Sequence, residues 1–255
     1  MELIILGCHS ATPRENHHTT SQILLFKKHY FMIDCGEGTQ IQLRKAKINF
    51  SRINHIFISH LHGDHFYGLI GLISSFRLLG RKKSLHIFGP KGIKKLIISQ
   101  LKASSSWTNY PLIFSELSSL KSEILYEDEI VSVKTIPLNH RIYTNGFLFK
   151  SNGKEEKSYA FCSDTMYDEN IIELIKYTDL LYHDSTFLDV DKDLAKKTKH
   201  STTIQAATIA QKARVKKLVL GHYSSRYNKK MKFLEEAKSV FSDSYLSEDL
   251  KRFLF

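Results

Sequence analysis

Apolar residues along the chain fall into short runs separated by polar turns. Glu2–Leu6 reads as a strand, followed by a loop from Gly7 to Pro13. Ile23–Phe26 and Tyr30–Ile33 flank Lys27-Lys28-His29, which predicts a hairpin. A turn at Asp34–Gly38 leads into a helix over Thr39–Lys47, with Ile41 and Ala46 as its inward positions. His55–Ser59 is a short apolar strand, and Leu69, Ile70, Leu72, Ile73, Phe76 and Leu79 recur at helical spacing within Phe66–Leu79. Leu85–Phe88 is a strand, and Pro90-Lys91-Gly92 opens a helix through about Leu101. Two or three strands are expected between Leu112 and Pro137, and a strand pair at Gly146–Lys150 and Tyr159–Ser163. Glu169–Tyr177 reads as a helix, Leu180–His183 as a strand, and Thr202–Ala213 as a helix capped by Ser201 or Thr202. Lys217–Leu220 and Lys232–Val240 complete the pattern as strand and helix. Strands and helices interleave across both halves, so the class is mixed α and β.

The 255 residues suit one large domain or two small ones. A chain of this size buries roughly 70–75% of its unfolded surface and needs no disulfide or metal merely to fold. Twelve glycines and four prolines exclude a collagenous or low-complexity chain. Three cysteines, Cys8, Cys35 and Cys162, cannot form a full disulfide set, which fits a reducing, cytoplasmic setting. Met1–Leu6 lacks the basic start and apolar length of a signal peptide, and no run approaches a membrane span. The net charge of +11 favours polyanionic partners. Lysines outnumber arginines 28 to 9, however, and specific phosphate clamps lean on arginine. Charge alone therefore does not decide between nucleic-acid binding and compositional bias.

The segment Ser59-His60-Leu61-His62-Gly63-Asp64-His65 is chemically denser. It follows a strand, precedes a helix and carries four residues whose imidazoles and carboxylate suit Zn²⁺ or a similar divalent ion. His60 and His62 fall on one side of an extended segment, Gly63 permits a sharp turn, and Asp64 and His65 return toward the same space. Four donors exceed the need of one open catalytic ion and suggest a pair. Four later residues, His140, Asp164, His200 and His222, lie at or near predicted element ends, where α/β frames build their sites. His17, His18 and His29 lack such company and are expected to be solvated.

With these residues in place, the chain resembles the metallo-β-lactamase superfamily and, within it, the ribonuclease Z family of tRNA 3′-endonucleases. The resemblance runs from Met1 to about Ser242. It is carried by Leu6-Gly7 to Pro13, Asp34–Gln40, the cluster from His60 to His65, Gly89–Gly92 and Pro137–His140. Ser163-Asp164-Thr165, His183–Phe187, His200–Thr203 and Gly221–Tyr227 extend it. The resemblance implies a four-layer αββα sandwich, a single catalytic domain over 1–255, a homodimer and two Zn²⁺ per subunit, a donor set that Mn²⁺ also accepts. It implies that His60, His62 and His140 hold one ion, Asp64, His65 and His222 the other, and that Asp164 bridges. Asp64 would accept a proton from the attacking water. His200, oriented by Asp184, would protonate the departing 3′-oxygen of precursor tRNA. Asp34 would support the ligands from behind, and Arg226 and Thr186 would touch phosphate.

Three departures stand out. Asp184 replaces the usual Glu, and His9 replaces a usual Gly. A short polar link over 150–158 stands where the family inserts a long arm that grips tRNA. Basic clusters could compensate or simply be solvated: Arg81-Lys82-Lys83, Lys94-Lys95, Lys196-Lys197 with Lys199, Lys216-Lys217, and Lys229-Lys230 with Lys232. The missing arm keeps open a superfamily phosphodiesterase or hydrolase acting on a smaller substrate. The charge raises a non-catalytic nucleic-acid binder, although no ligand is lost.

Overall fold

The short apolar runs assemble into two seven-stranded sheets in the computed structural model, which describes residues 1–153 and 156–255. The chain divides into two compact units, residues 1–118 with 248–254, and residues 119–247 with 255.

In the first unit the strands are β1 (Glu2–Gly7), β2 (Ser21–Phe26), β3 (His29–Cys35), β4 (Ile53–Phe57), β5 (Leu85–Pro90) and β6 (Leu112–Leu117). A terminal strand, Arg252–Leu254, pairs antiparallel with the other side of β1. The β1–β2 and β2–β3 pairs are antiparallel hairpins, whereas β3 to β6 run parallel. Parallel neighbours need crossovers. These contain helices α1 (Thr39–Lys45), α2 (Gly63–Phe66), α3 (Gly68–Leu78) and α4 (Ile93–Ala103). Leu69, Leu72, Ile73 and Phe76 form the predicted buried stripe of α3, while Leu79 lies beyond its end and is exposed. In α1 the inward face differs from expectation. Gln42 and Leu43 are buried, Gln42 donating to the Leu6 carbonyl at 2.8 Å, so Ala46 faces inward and Ile41 outward. His29 is buried and stacks on Phe31 at 5.0 Å, and His18 bonds Asp249, so neither is the solvated histidine expected.

The second unit holds β7 (Ile124–Glu127), β8 (Val131–Leu138), β9 (Thr144–Ser151), β10 (Ser158–Cys162), β11 (Leu180–Asp184), β12 (Lys217–Gly221) and β13 (Ser244–Leu246). β7 to β10 are antiparallel meanders; β10 to β13 are parallel. Helices α5 (Ile172–Ile175), α6 (Lys192–Thr198), α7 (Thr203–Lys212) and α8 (Met231–Val240) lie in the connections of the parallel half. Thr202 caps α7 in a reciprocal capping box with Gln205, as the sequence suggested. The helix α6 escaped the pattern because Ala195 alone is buried on it. The β9–β10 link is closed by Ser151 and Lys157, which exchange two hydrogen bonds of 2.8 Å; its Lys154 and Glu155 lie outside the described residues.

Parallel pairing aligns strand ends, and the chemistry collects there. Asp34 lies in the last turn of β3, Ser59 and His60 follow β4, Asp164 follows β10, Asp184 ends β11 and His222 follows β12. No helix among the described residues is long and apolar enough to cross a membrane.

Candidate metal centre

In the first unit, the buried Asp34 organises the histidine loop. Its carboxylate accepts the Ser59 N–H at 2.7 Å, the Ser59 hydroxyl at 2.9 Å and His65 Nδ1–H at 2.7 Å. Burial pushes this carboxyl up, against the pull of His65 and the two Ser59 donors. Because the Ser59 proton goes to Asp34, the Ser59 oxygen is left to accept from His60 Nδ1, 3.0 Å away. That assignment leaves His60 Nε2 proton-free and turned to His62 Nδ1 at 2.9 Å. With Nδ1 held by Asp34, His65 Nε2 is turned to Asp64 Oδ2 at 3.4 Å. Asp64 in turn accepts the Ala11 N–H at 2.8 Å. Close packing sustains this loop. A Cβ on Gly36 would come within 2.4 Å of the Asp64 carbonyl, and one on Gly68 within 2.0 Å of the Gly36 carbonyl.

In the second unit, Asp184 plays the corresponding part. It accepts the N–H groups of Thr165 and Thr186, the Thr186 hydroxyl at 2.7 Å and His200 Nδ1–H at 2.7 Å. With its single proton committed to Asp184, the Thr186 oxygen accepts from His222 Nδ1 at 2.9 Å. His222 Nε2 is thereby turned to Asp164 Oδ1, 3.1 Å away. The Lys199 carbonyl accepts His140 Nδ1–H at 2.9 Å, so His140 Nε2 is turned to Asp164 Oδ2, 3.6 Å away. Lys199 reaches that position by ending α6 in the left-handed region, at φ 57°. Asp164 and His222 share that conformation at 59° and 64°, as does Asp34 at 56°. Non-glycine residues hold it only where surrounding structure enforces it, and such positions cluster at functional sites.

Burial pulls the His140 imidazole down to about 4, Asp164 and the Lys199 carbonyl opposing, so it is neutral at neutral pH and able to donate to a metal. His200 moves the other way: burial lowers it, but the charge and hydrogen bond of Asp184 prevail and hold it above the usual histidine value. Asp184 is correspondingly held below the usual carboxylate value, His200 and then His222 outweighing its burial.

This donor set fits divalent cations. Asp164 turns one oxygen to His222 Nε2 and the other to His140 Nε2, so a carboxylate and two imidazoles converge as donors. Two ligands of one tetrahedral zinc lie about 3.3 Å apart, given bonds of about 2.0–2.1 Å, and the two separations at Asp164 bracket that value. The imidazoles of His60, His65, His140 and His222 are each oriented through the other nitrogen by a hydroxyl, carboxylate or carbonyl, the support that metal-bound histidines receive.

The first unit thus brings together His60, His62, Asp64 and His65, and the second His140, Asp164, Asp184, His200 and His222. Thr186, read as a phosphate contact, is buried with its hydroxyl occupied by Asp184 and His222, while Arg226 is exposed. Arg81, read as part of a basic cluster, is buried and its guanidinium bonds the Ile53, Lys83 and Ser84 carbonyls and Asn54. The sequence reading missed Ser59 and Lys199. Ser59 had a signal, a hydroxyl adjoining the histidine cluster; Lys199 acts through its carbonyl and had none.

The protein family described as Anti-Pycsar protein Apyc1 matches residues 1–242. Ribonuclease Z of Bacteroides thetaiotaomicron is 41% identical, with 97% of this chain and 93% of the relative covered. Ribonuclease Z of Bacteroides fragilis (strain YCH46) is 41% identical, with 97% of each covered. These alignments run over 294 positions against 255 residues here, so each relative carries at least 39 residues that this chain lacks. The crystal structure of human tRNase Z, short form, superposes with a TM-score of 0.87 at 31% identity, covering 100% of this chain and 99% of that one. The Bacillus subtilis metallo-β-lactamase fold protein YhfI gives 0.82 at 19% identity, covering 99% and 98%. The fold is thus the metallo-β-lactamase fold.

Replacing Asp34 by Ala removes the acceptor that orients Ser59 and His65. Metal affinity, read by competition with a chromogenic chelator, is expected to fall by about 10–100-fold. An unchanged affinity would contradict the supporting role of Asp34.

Proposed function

The chain belongs to the ribonuclease Z family, and on that premise we propose that it removes the 3′ trailer from precursor tRNA as a metal-dependent endoribonuclease, leaving a 3′-hydroxyl on the tRNA. The observation that carries the reading is Asp164, whose two oxygens face His222 Nε2 at 3.1 Å and His140 Nε2 at 3.6 Å. In this reading the two ligand sets act together. His60, His62 and His140 hold one cation, Asp64, His65 and His222 the other, and Asp164 is shared. Zn²⁺ suits the imidazole and carboxylate donors, and Mn²⁺ accepts them too. Bound there, a pair of cations supplies an activated water and offsets the charge that builds up on the phosphodiester.

The chain's own residues do the rest. Asp64, held by the Ala11 N–H, orients the attacking water and accepts its proton. His200 carries the opposite proton, because Asp184 keeps its imidazole charged above the usual range. It delivers that proton from Nε2 to the departing 3′-oxygen while Asp184 holds Nδ1. Asp184 is a methylene shorter than the family's Glu, yet its carboxylate reaches His200 at 2.7 Å, so the pairing survives the substitution. Thr186 is a positioning residue in this scheme, linking Asp184 to His222. Exposed Arg226 and the lysines at 94, 95, 196, 197, 229 and 232 meet the RNA backbone. Arg81 is committed to the interior and does not serve this purpose. The proposal carries with it the homodimer, the cytoplasmic setting and the short 150–158 link in place of the family's arm.

Incubation with a trailer-bearing precursor tRNA is expected to give one discrete cut near the acceptor end with Zn²⁺ and none with a chelator. His200→Ala is expected to retain its metal and slow that cut by about 10²–10⁴-fold. Turnover of a small chromogenic phosphodiester with precursor tRNA left intact would reject the substrate class. Full-rate cleavage by His200→Ala would remove the acid assignment.

The pH profile has a defined sign. An acid whose pKa is raised stays protonated further up the pH scale, so kcat/KM falls only as pH passes above the usual histidine range. Asp184→Asn removes the charge responsible, and the basic limb is expected to move to lower pH. A limb that stays in place would mean that Asp184 does not tune His200.

A further inference from the structure

A second group of metal-binding side chains lies in the first unit, where β1 ends. The antiparallel register of β1 with the terminal strand, Leu3 opposite Phe253 and Ile4 opposite Arg252, brings Asp249 to the residue that follows β1, Cys8. Cys8 Sγ lies 3.6 Å from Asp249 Oδ1. The other oxygen, Oδ2, accepts from the His18 N–H at 3.0 Å and from His18 Nδ1 at 2.8 Å, which holds the carboxylate in place. The Cys8 and His9 N–H groups both donate to the His18 carbonyl at 3.1 Å, so the backbone carrying these residues is itself tied down. Cys8 and His9 are buried. One donor atom from each of Cys8, His9 and Asp249 lies within 4.8 Å of the other two. The His17 ring meets His9 edge-on at 4.3 Å, on the more exposed side of the group.

We propose that Cys8, His9 and Asp249 form an accessory site for a zinc-like transition-metal ion. The donor chemistry selects the metal: a thiolate beside an imidazole favours Zn²⁺ and its neighbours over the oxygen-seeking Mg²⁺, Ca²⁺ and Mn²⁺. The spacing agrees. With Zn–S about 2.3 Å and Zn–O about 2.1 Å, a tetrahedral ion sets sulfur and oxygen about 3.6 Å apart, the separation between Cys8 and Asp249. Three protein donors leave a fourth position for water or for His17. Binding breaks the Cys8 S–H bond and forms a sulfur–metal bond, the proton passing to solvent, with no change of oxidation state. His18 supports Asp249 from behind, as carboxylate–imidazole pairs support other metal sites. The same loop carries Ala11, whose N–H holds Asp64, so an ion at Cys8 tethers the segment that steadies that carboxylate. His9, where the family usually has glycine, is thereby a ligand rather than an anomaly of the turn.

Cobalt spectroscopy tests the proposal independently of the nuclease reading, since no ligand in that reading is a cysteine. The full-length protein loaded with Co²⁺ is expected to show a near-ultraviolet thiolate-to-cobalt charge-transfer band. Cys8→Ser is expected to lose the band and one equivalent of metal per chain in elemental analysis. Asp249→Asn, which leaves the thiol in place, is expected to weaken Co²⁺ binding at this band and no other. Absence of the band in the fully loaded wild type, or equal metal content in wild type and Cys8→Ser, would overturn the site. A band that persists while precursor tRNA stays uncut supports the site and counts against the nuclease reading alone.

Discussion

The polarity of a few buried hydrogen bonds governs the candidate centre. Asp184 can only accept, so it takes the one proton of Thr186. Thr186 then accepts from His222 Nδ1, which turns His222 Nε2 to Asp164 at 3.1 Å. The Lys199 carbonyl imposes the same orientation on His140. Asp164 thus lies between two oriented imidazoles, a donor arrangement that suits a divalent cation. In the first unit Asp34 acts likewise through Ser59 on His60, and directly on His65. Two buried acceptor carboxylates, one in each sheet, thus set the orientation of His60, His65, His200 and His222, and the Lys199 carbonyl sets that of His140.

The fold is organised around that requirement. Each sheet is antiparallel on one side and parallel on the other. Site residues accumulate at the ends of the parallel strands, where each chain segment leaves the sheet for a crossover. Asp34, Asp164 and His222 adopt left-handed backbone there, which turns the chain sharply and aims the side chain back over the strand ends. Such a conformation is unfavourable for residues with a Cβ and has to be sustained by the surrounding hydrogen bonds. Tight glycine contacts at 36 and 68 hold the neighbouring turn in register.

Much of this was legible in the sequence, and the boundary between legible and hidden has a physical basis. The cluster from His60 to His65 announces itself because four donors lie within one turn of chain, and local spacing is something a sequence records. His140, Asp164, His200 and His222 were found by their places beside predicted element ends. The stripe of α3 and the cap of α7 follow from local periodicity and local hydrogen bonding. What stayed hidden is tertiary. Nothing local says that Ile41 faces out because Gln42 bonds Leu6, that His29 stacks on Phe31, or that Arg81 spends its guanidinium on main-chain carbonyls. The Lys199 carbonyl has no side-chain signature at all, and Asp249 meets Cys8 only because a short terminal strand pairs with β1.

Membership of the ribonuclease Z family and the metallo-β-lactamase fold agrees with this arrangement. The most direct test of the central claim is a crystal structure of the Zn²⁺-loaded protein with anomalous data collected at the zinc edge. The account predicts an ion on each oxygen of Asp164, one liganded by His140 Nε2 and the other by His222 Nε2. Anomalous density elsewhere only, with the Asp164 carboxylate contacting nothing but protein, would contradict it.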